Sequence, residues 1–269
     1  MEVYFRSKLG KRRTNEDRYT IILNENGQYD FDKQHINIYG IYDGHGGDTV
    51  STFLSNIMPT IFLDKRVQYP LRKSYVNRVC EKVQNILIEN YKKSKECGST
   101  CLIIIKFKKD EQDFLNIINI GDSRAIICSN NRAYQLSIDH KPLCPYEKAR
   151  ITKQGGHIEF DGIEWRINSL SLSRAFGDYE SLFTQPKPDL FLRKLTKSDK
   201  FIILGCDGLY DVVSNQTVVD LVLNFCYDTT GKRAIKNDNI TKDNIAKKLC
   251  DFATSQNSTD NITAIVVFF

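Results

Sequence analysis

The segment INIYGIYDGHGGD, residues 36–48, places an apolar, β-prone run directly before an acidic residue and a glycine-rich turn. The run predicts a strand that ends at Asp43. The glycines that follow allow a tight turn and let a ligand approach the backbone closely. A carboxylate next to a bare carbonyl suits a hard cation such as Mg²⁺ or Mn²⁺, but Asp43-Gly44 is equally an ordinary turn. The segment alone leaves both interpretations open.

The composition indicates a folded chain and not a disordered one. Of the 269 residues, 41% are hydrophobic, which is enough core for one large domain or two small ones. The net charge of +5 is spread over several lysine and arginine clusters. Because these clusters lack the aromatic interleaving of single-strand binding proteins, solvated faces are favoured and no nucleic-acid partner is expected.

The cysteine pattern and the hydropathy of the chain bear on its compartment. The 8 cysteines include no Cys-x-x-Cys pair, which favours free thiols in a reducing compartment. The N-terminus has no apolar signal core, and no apolar run reaches membrane-spanning length. We expect a cytoplasmic protein, with the nucleus as a second location, and no membrane partner. No oligomerisation signal is present, so a monomer is expected.

Local patterns divide the chain into short strands and amphipathic helices. Strands are predicted at residues 3–9, 19–23, 38–42, 99–107, 113–120, 124–129, 132–137, 188–195, 201–206 and 262–269. Helices are predicted at residues 48–63, 69–91, 145–154, 212–226 and 242–255. In the first helix Asp48 is the expected cap, and Pro59 is expected to kink or end the helix early. Residues 228–239 are polar and indicate an insertion loop.

The order of these elements predicts an α+β fold, since the strands form meander-like groups and do not alternate regularly with helices. We expect two stacked antiparallel β-sheets flanked by α-helices, a four-layer αββα sandwich. No repeat, low-complexity tract or linker divides the chain. Residues 1–269 are therefore predicted to form a single domain.

A set of acidic residues stands mostly at or beside the predicted strand ends. Its members are Glu16, Asp17, Asp43, Asp122, Asp207, Asp211 and Asp260. Carboxylates that converge at one sheet edge repel each other unless cations neutralise them. Two divalent cations would do so, and a metal pair can activate water and clamp a phosphoryl group. The residues alone thus support the hypothesis of a metal-dependent phosphoryl-transfer or hydrolysis site.

Eight short motifs, in this order along almost the whole chain, resemble those of the metal-dependent serine/threonine protein phosphatases of type 2C, the PPM family. They are RRTNEDR at residues 12–18, YDGHGG at 42–47, GST at 98–100, GDSRA at 121–125, DHKP at 139–142, SRAFGD at 173–178, CDGLYDV at 206–212 and STDNITAIVV at 258–267. Each motif is weak by itself, and the ordered set is specific. The resemblance implies a hydrolase that dephosphorylates phosphoserine and phosphothreonine proteins in signalling.

The resemblance also implies the cofactors: two Mn²⁺ or Mg²⁺ ions, with a third ion bound weakly. The implied ligands are Asp43 bridging the two ions, Glu16 and the Gly44 carbonyl through waters at one ion, Asp207 and Asp260 at the other, and Asp122 and Asp211 at the third. Under this resemblance a hydroxide that bridges the ions attacks phosphorus in line, with no phospho-enzyme.

Three further roles follow from the resemblance. Arg12 matches the residue that clamps the substrate phosphate, with Arg13 as the competitor, which would point the opposite way in an extended segment. Asp17 would orient the attacking water. His45 would protonate the leaving oxygen, a task that suits a side chain able to change protonation near neutral pH. Outside the motif, His45 would be interpreted as a turn histidine satisfied by the backbone.

Other residues of the motifs receive structural interpretations. Asp139 and His140 are expected to form a local cap, and Arg174 and Asp178 to brace the segment that covers the site. The segment between Asp139 and Ser173 is only loosely similar to the substrate-side flap of the family, which leaves substrate preference open.

Three competing functions remain at this point. Cys144–Arg150 fits the Cys-x5-Arg spacing of cysteine-dependent phosphatases, but Pro145 removes a backbone donor and the segment predicts a helix. A pseudophosphatase that binds partners on the same fold is the main alternative, although it would be expected to lack ligands or the phosphate-binding arginine. A metal-dependent nuclease is the third, and the lack of a basic aromatic surface weakens it.

Overall fold

The structure is a computed structural model that describes residues 2–23, 36–228 and 244–269. Its strands are β1 (Glu2–Lys8), β2 (Arg18–Ile22), β3 (Asn37–Tyr42), β4 (Gly44–His45), β5 (Gly98–Ser99), β6 (Cys101–Lys109), β7 (Gln112–Ile120), β8 (Arg124–Ser129), β9 (Arg132–Gln135), β10 (Glu159–Phe160), β11 (Trp165–Arg166), β12 (Phe176–Gly177), β13 (Asp189–Lys194), β14 (Asp199–Gly205) and β15 (Ile262–Phe268). Its helices are α1 (Thr49–Phe62), α2 (Lys73–Asn90), α3 (Pro145–Lys153), α4 (Asp207–Tyr210), α5 (Asn215–Cys226) and α6 (Ile245–Ser255). The insertion loop predicted at residues 228–239 lies outside the described residues except for Asp228.

The chain divides into two compact units. Unit one comprises Met1–Asp17, Arg124–Leu136 and Leu195–Phe269. Its antiparallel sheet has the strand order β1-β15-β14-β8-β9. The nearly all-apolar β15 is buried along its whole length between β1 and β14, as expected for a central strand. Apolar residues of α4, α5 and α6 pack with those of β14 and β15 in one core.

Unit two comprises Arg18–Ser123 and Ser137–Lys194. Its main antiparallel sheet has the strand order β13-β7-β6-β3-β2, and the apolar faces of α1 and α2 share a core with it. All six residues of β3 are buried, which fits the mostly apolar sequence that follows Asn37. The short strand β4, which follows β3 in sequence, forms a small sheet with β5 and β12. Strands β10 and β11 form a separate two-stranded sheet.

The prediction of an α+β chain with two antiparallel sheets flanked by helices is confirmed, whereas the single domain over residues 1–269 stays a prediction. Three details of the helices were wrong. Pro59 lies inside α1, which continues to Phe62, and Asp48 makes no side-chain cap but pairs with Arg18 at 2.5 Å. The second helix begins at Lys73, after a cis Tyr69–Pro70 peptide bond, and not at Tyr69.

The structure also shows the state of the cysteines and the character of the helices. All 8 cysteines are free thiols, seven of them buried. Within the described parts of the chain, no helix combines the length and apolar character needed to cross a bilayer.

A buried ionic network in unit two connects α3 to Ser173 and Arg174. Glu147 of α3 is 1% exposed and accepts from Arg174 at 2.6 Å and from Arg150 at 2.8 Å. Ser173 adds a hydroxyl donor at 2.8 Å. Burial by itself would raise the pKa of Glu147, but the hydrogen bonds from Arg174 and Arg150 outweigh it and lower the pKa to about 2. Arg174 also donates to Asp189 at 3.2 Å, which agrees with the predicted bracing role.

Replacing Glu147 tests this network through the pH dependence of stability. Because the folded-state pKa is depressed from 4.5 to about 2, the stabilisation is complete above pH 4.5 and is lost as the pH falls towards 2. We expect Glu147→Gln to lower the free energy of unfolding by about 3 kcal/mol at pH 7, with the gap to the parent chain closing towards pH 2. Urea unfolding at several pH values measures it. Exposed Glu159→Gln is the control, and a gap that does not depend on pH would contradict the assignment.

Candidate active site

In unit two, Asp43 follows β3 and its backbone is fixed from both sides. The Asp43 N–H donates to Thr100 Oγ1 at 3.0 Å, and the Thr100 N–H donates to the Asp43 carbonyl at 2.9 Å. Asp43, Gly44 and His45 are all partly buried. A carboxylate on a backbone held in this way loses little conformational freedom when it binds a ligand.

Thr100 also connects this strand end to the Gly121–Arg124 corner after β7. Its hydroxyl lies 2.7 Å from Ser123 Oγ. Gly121 has φ +100°, and an added Cβ would lie 2.6 Å from Thr100 Cγ2, so the corner requires glycine. The structure thus brings the backbone segments that carry Asp43 and Asp122 to the same residue, Thr100.

Asp122 is a buried carboxylate with the ammonium of Lys141 beside it. Its side chain is 1% exposed, and Oδ2 lies 2.8 Å from Lys141 Nζ. Oδ1 is buried and has no hydrogen-bond partner among the described residues. Buried carboxylate oxygens are normally satisfied, so an open oxygen here fits a cation ligand.

His140 is hydrogen-bonded to the backbone of Gly121, at the start of the Gly121–Arg124 corner. Its ring is 1% exposed, Nδ1 accepts the Gly121 N–H at 3.0 Å, and Nε2 lies 3.1 Å from Asp189 Oδ2. The His140 N–H in turn donates to the Gly121 carbonyl at 3.0 Å. Burial raises the pKa of Asp189, but the bond from His140, with the nearby Arg174 and Lys73, lowers it to about 2. The predicted local cap was wrong for His140, because its partners are distant in sequence.

His45 contacts an acid that the sequence analysis treated as structural. Its Nε2 lies 2.7 Å from Asp178 Oδ2, and Asp178 is 5% exposed. A Cβ on Gly98 would lie 2.1 Å from this Asp178 oxygen and 2.5 Å from His45 Nε2. Glycine at position 98 is therefore what lets the two side chains meet. The interpretation of His45 as a turn histidine satisfied only by backbone was wrong.

In unit one, the acidic residues Asp207 and Asp211 lie one helical turn apart. Asp207 begins α4 directly after β14 and Cys206, and the Asp211 N–H donates to the Asp207 carbonyl at 2.8 Å. A Cβ on Gly208 would lie 2.0 Å from the Asn261 carbonyl, so the Asp207 turn packs against the residues that precede β15. Asp207 and Asp260 are partly buried, whereas Asp211 is exposed.

The loop after β1 lies against Asp260. Arg12 Nη2 is 2.5 Å from Asp260 Oδ2, with the arginine side chain 59% exposed. Gly10 has φ +62°, and an added Cβ would lie 1.8 Å from the Asp260 carbonyl. Residues 10–14 form turns and bends and not an extended segment, so the alternation argument that separated Arg12 from Arg13 does not hold.

Asn261 holds this loop by three hydrogen bonds to backbone groups. Its Oδ1 accepts the Glu16 N–H at 2.9 Å, and its Nδ2 donates to the carbonyls of Leu9 at 2.8 Å and Thr14 at 2.9 Å. Glu16 is thereby placed in the same unit and loop as Arg12. Sequence reasoning did not single out Asn261, although its position directly after Asp260 in the STDN motif was the available signal.

Asp17 is buried at the end of this loop. It is 3% exposed and accepts a hydrogen bond from the Thr263 hydroxyl of β15 at 2.6 Å. Its own N–H donates to Asn15 Oδ1 at 3.1 Å. The position of Asp17 is thus set by the central strand of unit one.

The donor chemistry in each unit fits Mg²⁺ or Mn²⁺. Unit one offers the carboxylates of Glu16, Asp207 and Asp260, and unit two offers Asp43, the Gly44 carbonyl and the open oxygen of Asp122. These donors are all oxygen atoms, which hard divalent cations prefer.

The cysteine-based alternative does not fit. Cys144 lies at the N-terminus of α3, so the segment is a helix and not a phosphate-binding loop. Arg150 is engaged by Glu147, Gln154 and the carbonyls of Phe183 and Ser173. The structure therefore contradicts a Cys-x5-Arg phosphate site.

Comparison with known proteins identifies the family to which the chain is similar. The family model described as "Protein phosphatase 2C" matches residues 2–262. A PP2C-like domain-containing protein of Acanthamoeba polyphaga mimivirus is 37% identical over 175 residues, which cover 60% of this chain and 97% of that protein. The "Probable protein phosphatase 2C 44" of Oryza sativa subsp. japonica is 32% identical over 246 residues, 90% of this chain and 71% of that protein.

A solved structure described as a sex determining protein of C. elegans superposes with a TM-score of 0.83 at 25% identity. The alignment covers 99% of this chain and 64% of that one, so the chain spans slightly less than two thirds of it.

Asn261 offers a test of how the loop after β1 is held. We expect Asn261→Ala to lower the free energy of unfolding by about 3 kcal/mol, because three backbone groups lose their partner. We also expect faster tryptic cleavage at Lys11, Arg12 and Arg13, measured by timed digestion and mass spectrometry. Asn56→Ala, an exposed asparagine bonded only within α1, is the control. Unchanged cleavage in Asn261→Ala would show that another contact holds the loop.

Proposed function

This chain belongs to the protein phosphatase 2C family and is a protein serine/threonine phosphatase of that family, and we propose that it hydrolyses phosphoserine and phosphothreonine in proteins by direct in-line attack of water-derived hydroxide on phosphorus, with no phospho-enzyme. The observation that carries the proposal is Asp43, held at the end of β3 by Thr100, with His45 two residues later in contact with Asp178. A charged ligand position and a proton-donating group thus share one short, fixed segment.

We infer that the cofactors are divalent, Mn²⁺ or Mg²⁺, with two ions bound and a third held weakly. When bound, such ions supply an activated water nucleophile and stabilise the charge that develops on the phosphoryl oxygens. The proposed ligands are Glu16, Asp43, Gly44, Asp207 and Asp260, with Asp122 and Asp211 for the third ion. The fit rests on the oxygen-only donor set and on the open oxygen of Asp122.

Arg12 and Asp17 have separate proposed roles. Arg12 binds the substrate phosphate, a task for which the planar guanidinium fork is suited. In the structure this guanidinium lies against Asp260 and 59% of the arginine side chain is exposed, so a phosphate can reach it. Asp17 accepts a hydrogen bond from the Thr263 hydroxyl through one carboxylate oxygen, and it is proposed to orient the attacking water.

His45 is proposed to protonate the serine or threonine oxygen as it leaves. Asp178 holds the imidazole through Nε2, which fixes the ring orientation. His45 keeps 26% of its side chain exposed, so the ring remains accessible. Asp178 is therefore a positioning residue.

We propose that the protein acts as a monomer on phosphoprotein substrates in the cytoplasm, with the nucleus as a second location. Nothing in the chain favours a nucleic-acid or membrane substrate over a phosphoprotein. Its preference among phosphoproteins lies with the segment between Asp139 and Ser173.

Replacing Asp43 tests the metal-dependent reaction. With Mn²⁺, we expect release of phosphate from a phosphothreonine peptide that stops with EDTA and falls about 100-fold or more in Asp43→Asn, because a cation ligand is lost. Asp110→Asn, in the exposed turn after β6, is the matched control and should keep full activity. Release that survives EDTA would contradict the proposal. Folded protein that releases no phosphate with any metal would indicate a pseudophosphatase.

The proton donor can be tested with two leaving groups. We expect His45→Ala to lower kcat for a phosphothreonine peptide by about 100-fold, since the alkoxide needs a proton. For p-nitrophenyl phosphate we expect a much smaller loss, because nitrophenolate leaves without one. Asp178→Asn should show the same selectivity to a smaller extent, and Glu180→Gln, two residues away and exposed, should not. Equal losses on both substrates would exclude His45 as the acid.

A further inference from the structure

We propose that Lys141 is an internal counterion that competes with a divalent cation for the Asp122 carboxylate. This inference rests on the proposed function in one respect, the assignment of Asp122 as a ligand of a weakly bound ion. It adds a regulatory role for a lysine that the proposed mechanism does not use. The competition would set the metal concentration at which the weak site fills.

The contact itself is well defined within unit two. Lys141 Nζ lies 2.8 Å from Asp122 Oδ2, and the second carboxylate oxygen is buried and accepts no hydrogen bond from the described residues. The ammonium pairs with Oδ2 as an ion pair but makes no well-aligned hydrogen bond there, so neither carboxylate oxygen has a hydrogen-bond partner among the described residues. A buried carboxylate with an oxygen that lacks a partner attracts a second cation, or a cation of higher charge that replaces the lysine ammonium.

The two partners differ in how far they can move. Asp122 is 1% exposed and follows Gly121, whose carbonyl and N–H are both engaged by His140. Asn119 Nδ2 donates to the same Gly121 carbonyl at 3.1 Å. The Lys141 side chain is 28% exposed and has four rotatable bonds. Displacement of the ammonium towards solvent is therefore the movement that the structure permits.

The backbone of Lys141 is nevertheless fixed next to its target. Its neighbour His140 is buried and bonded to Gly121 and to Asp189. When the ammonium is displaced, its tether keeps it close to the carboxylate, so its effective concentration stays high. A tethered competitor of this kind weakens ion binding without closing the position.

Electrostatics explains why the outcome depends on metal concentration. An ammonium and a divalent cation on the same carboxylate would repel each other strongly at this separation in a buried position. The divalent ion has the larger attraction for Asp122, whereas the lysine is always present. Binding at Asp122 is thus expected to be weaker than at carboxylates without such a lysine, and to strengthen when the lysine charge is removed.

The experiment is a Mn²⁺ titration of the full chain, with free Mn²⁺ read by electron paramagnetic resonance. The variants are Lys141→Met, Lys141→Arg, Asp122→Asn and the double variant Lys141→Met/Asp122→Asn. We expect Lys141→Met to lower the Kd of the weakest class of sites by about tenfold or more, and Lys141→Arg to stay close to the parent value. Asp122→Asn should remove that class, and the double variant should behave like Asp122→Asn.

A Kd that is unchanged or raised in Lys141→Met would overturn the proposal, as would tightening that persists in the double variant. Lys141→Gln replaces Lys141→Met if the latter does not fold, as checked by circular dichroism. The phosphatase assay keeps this test separate from the proposed function. Tighter Mn²⁺ binding in a chain that releases no phosphate would support the competition and refute the activity. An active phosphatase whose Mn²⁺ Kd does not change in Lys141→Met would support the activity and refute the competition.

Discussion

Carboxylates on fixed backbones need positive charge beside them, and this requirement shapes both units. Asp122 faces Lys141, Asp260 faces Arg12, and Glu147 is held by two arginines. Because a buried carboxylate without a cation is costly, each acid either binds a protein cation permanently or accepts an exchangeable one. Glu147 belongs to the first kind, since both of its oxygens are engaged and its pKa is low. Asp122 belongs to the second, since one of its oxygens is open.

Small polar residues and glycines fix the backbone that carries these acids. Thr100 bonds both backbone groups of Asp43, and Asn261 bonds three backbone groups of the loop that carries Glu16. Gly98 and Gly121 leave room for contacts that any side chain would block. The proposed ligands are thus positioned by residues that have no proposed part in the chemistry, which reduces the reorganisation needed when a substrate binds.

The sequence predicted most of what depends on local pattern. The apolar runs of β3 and β15, the paired Asp-Gly turns at Asp43 and Asp207, and the ordered motifs all follow from residues close together in the chain. Contacts between distant residues could not be predicted in this way. His45 and Asp178 are 133 positions apart and meet only because β4, β5 and β12 pair, while His140 finds its partners at Gly121 and Asp189. The expectation that the helix ends early at Pro59 was wrong, because packing of α1 in the unit-two core outweighs the unfavourable helix propensity of proline.

The account depends on the carboxylates of Asp43, Asp207 and Asp260 acting as ligands of divalent ions. Anomalous diffraction at the manganese edge, from crystals grown with Mn²⁺, tests this most directly. We predict manganese bonded to carboxylate oxygens of Asp43, Asp207 and Asp260, with a further, partly occupied position at Asp122 in which Lys141 has moved away. Crystals that show no manganese bonded to any of these carboxylates would contradict the account.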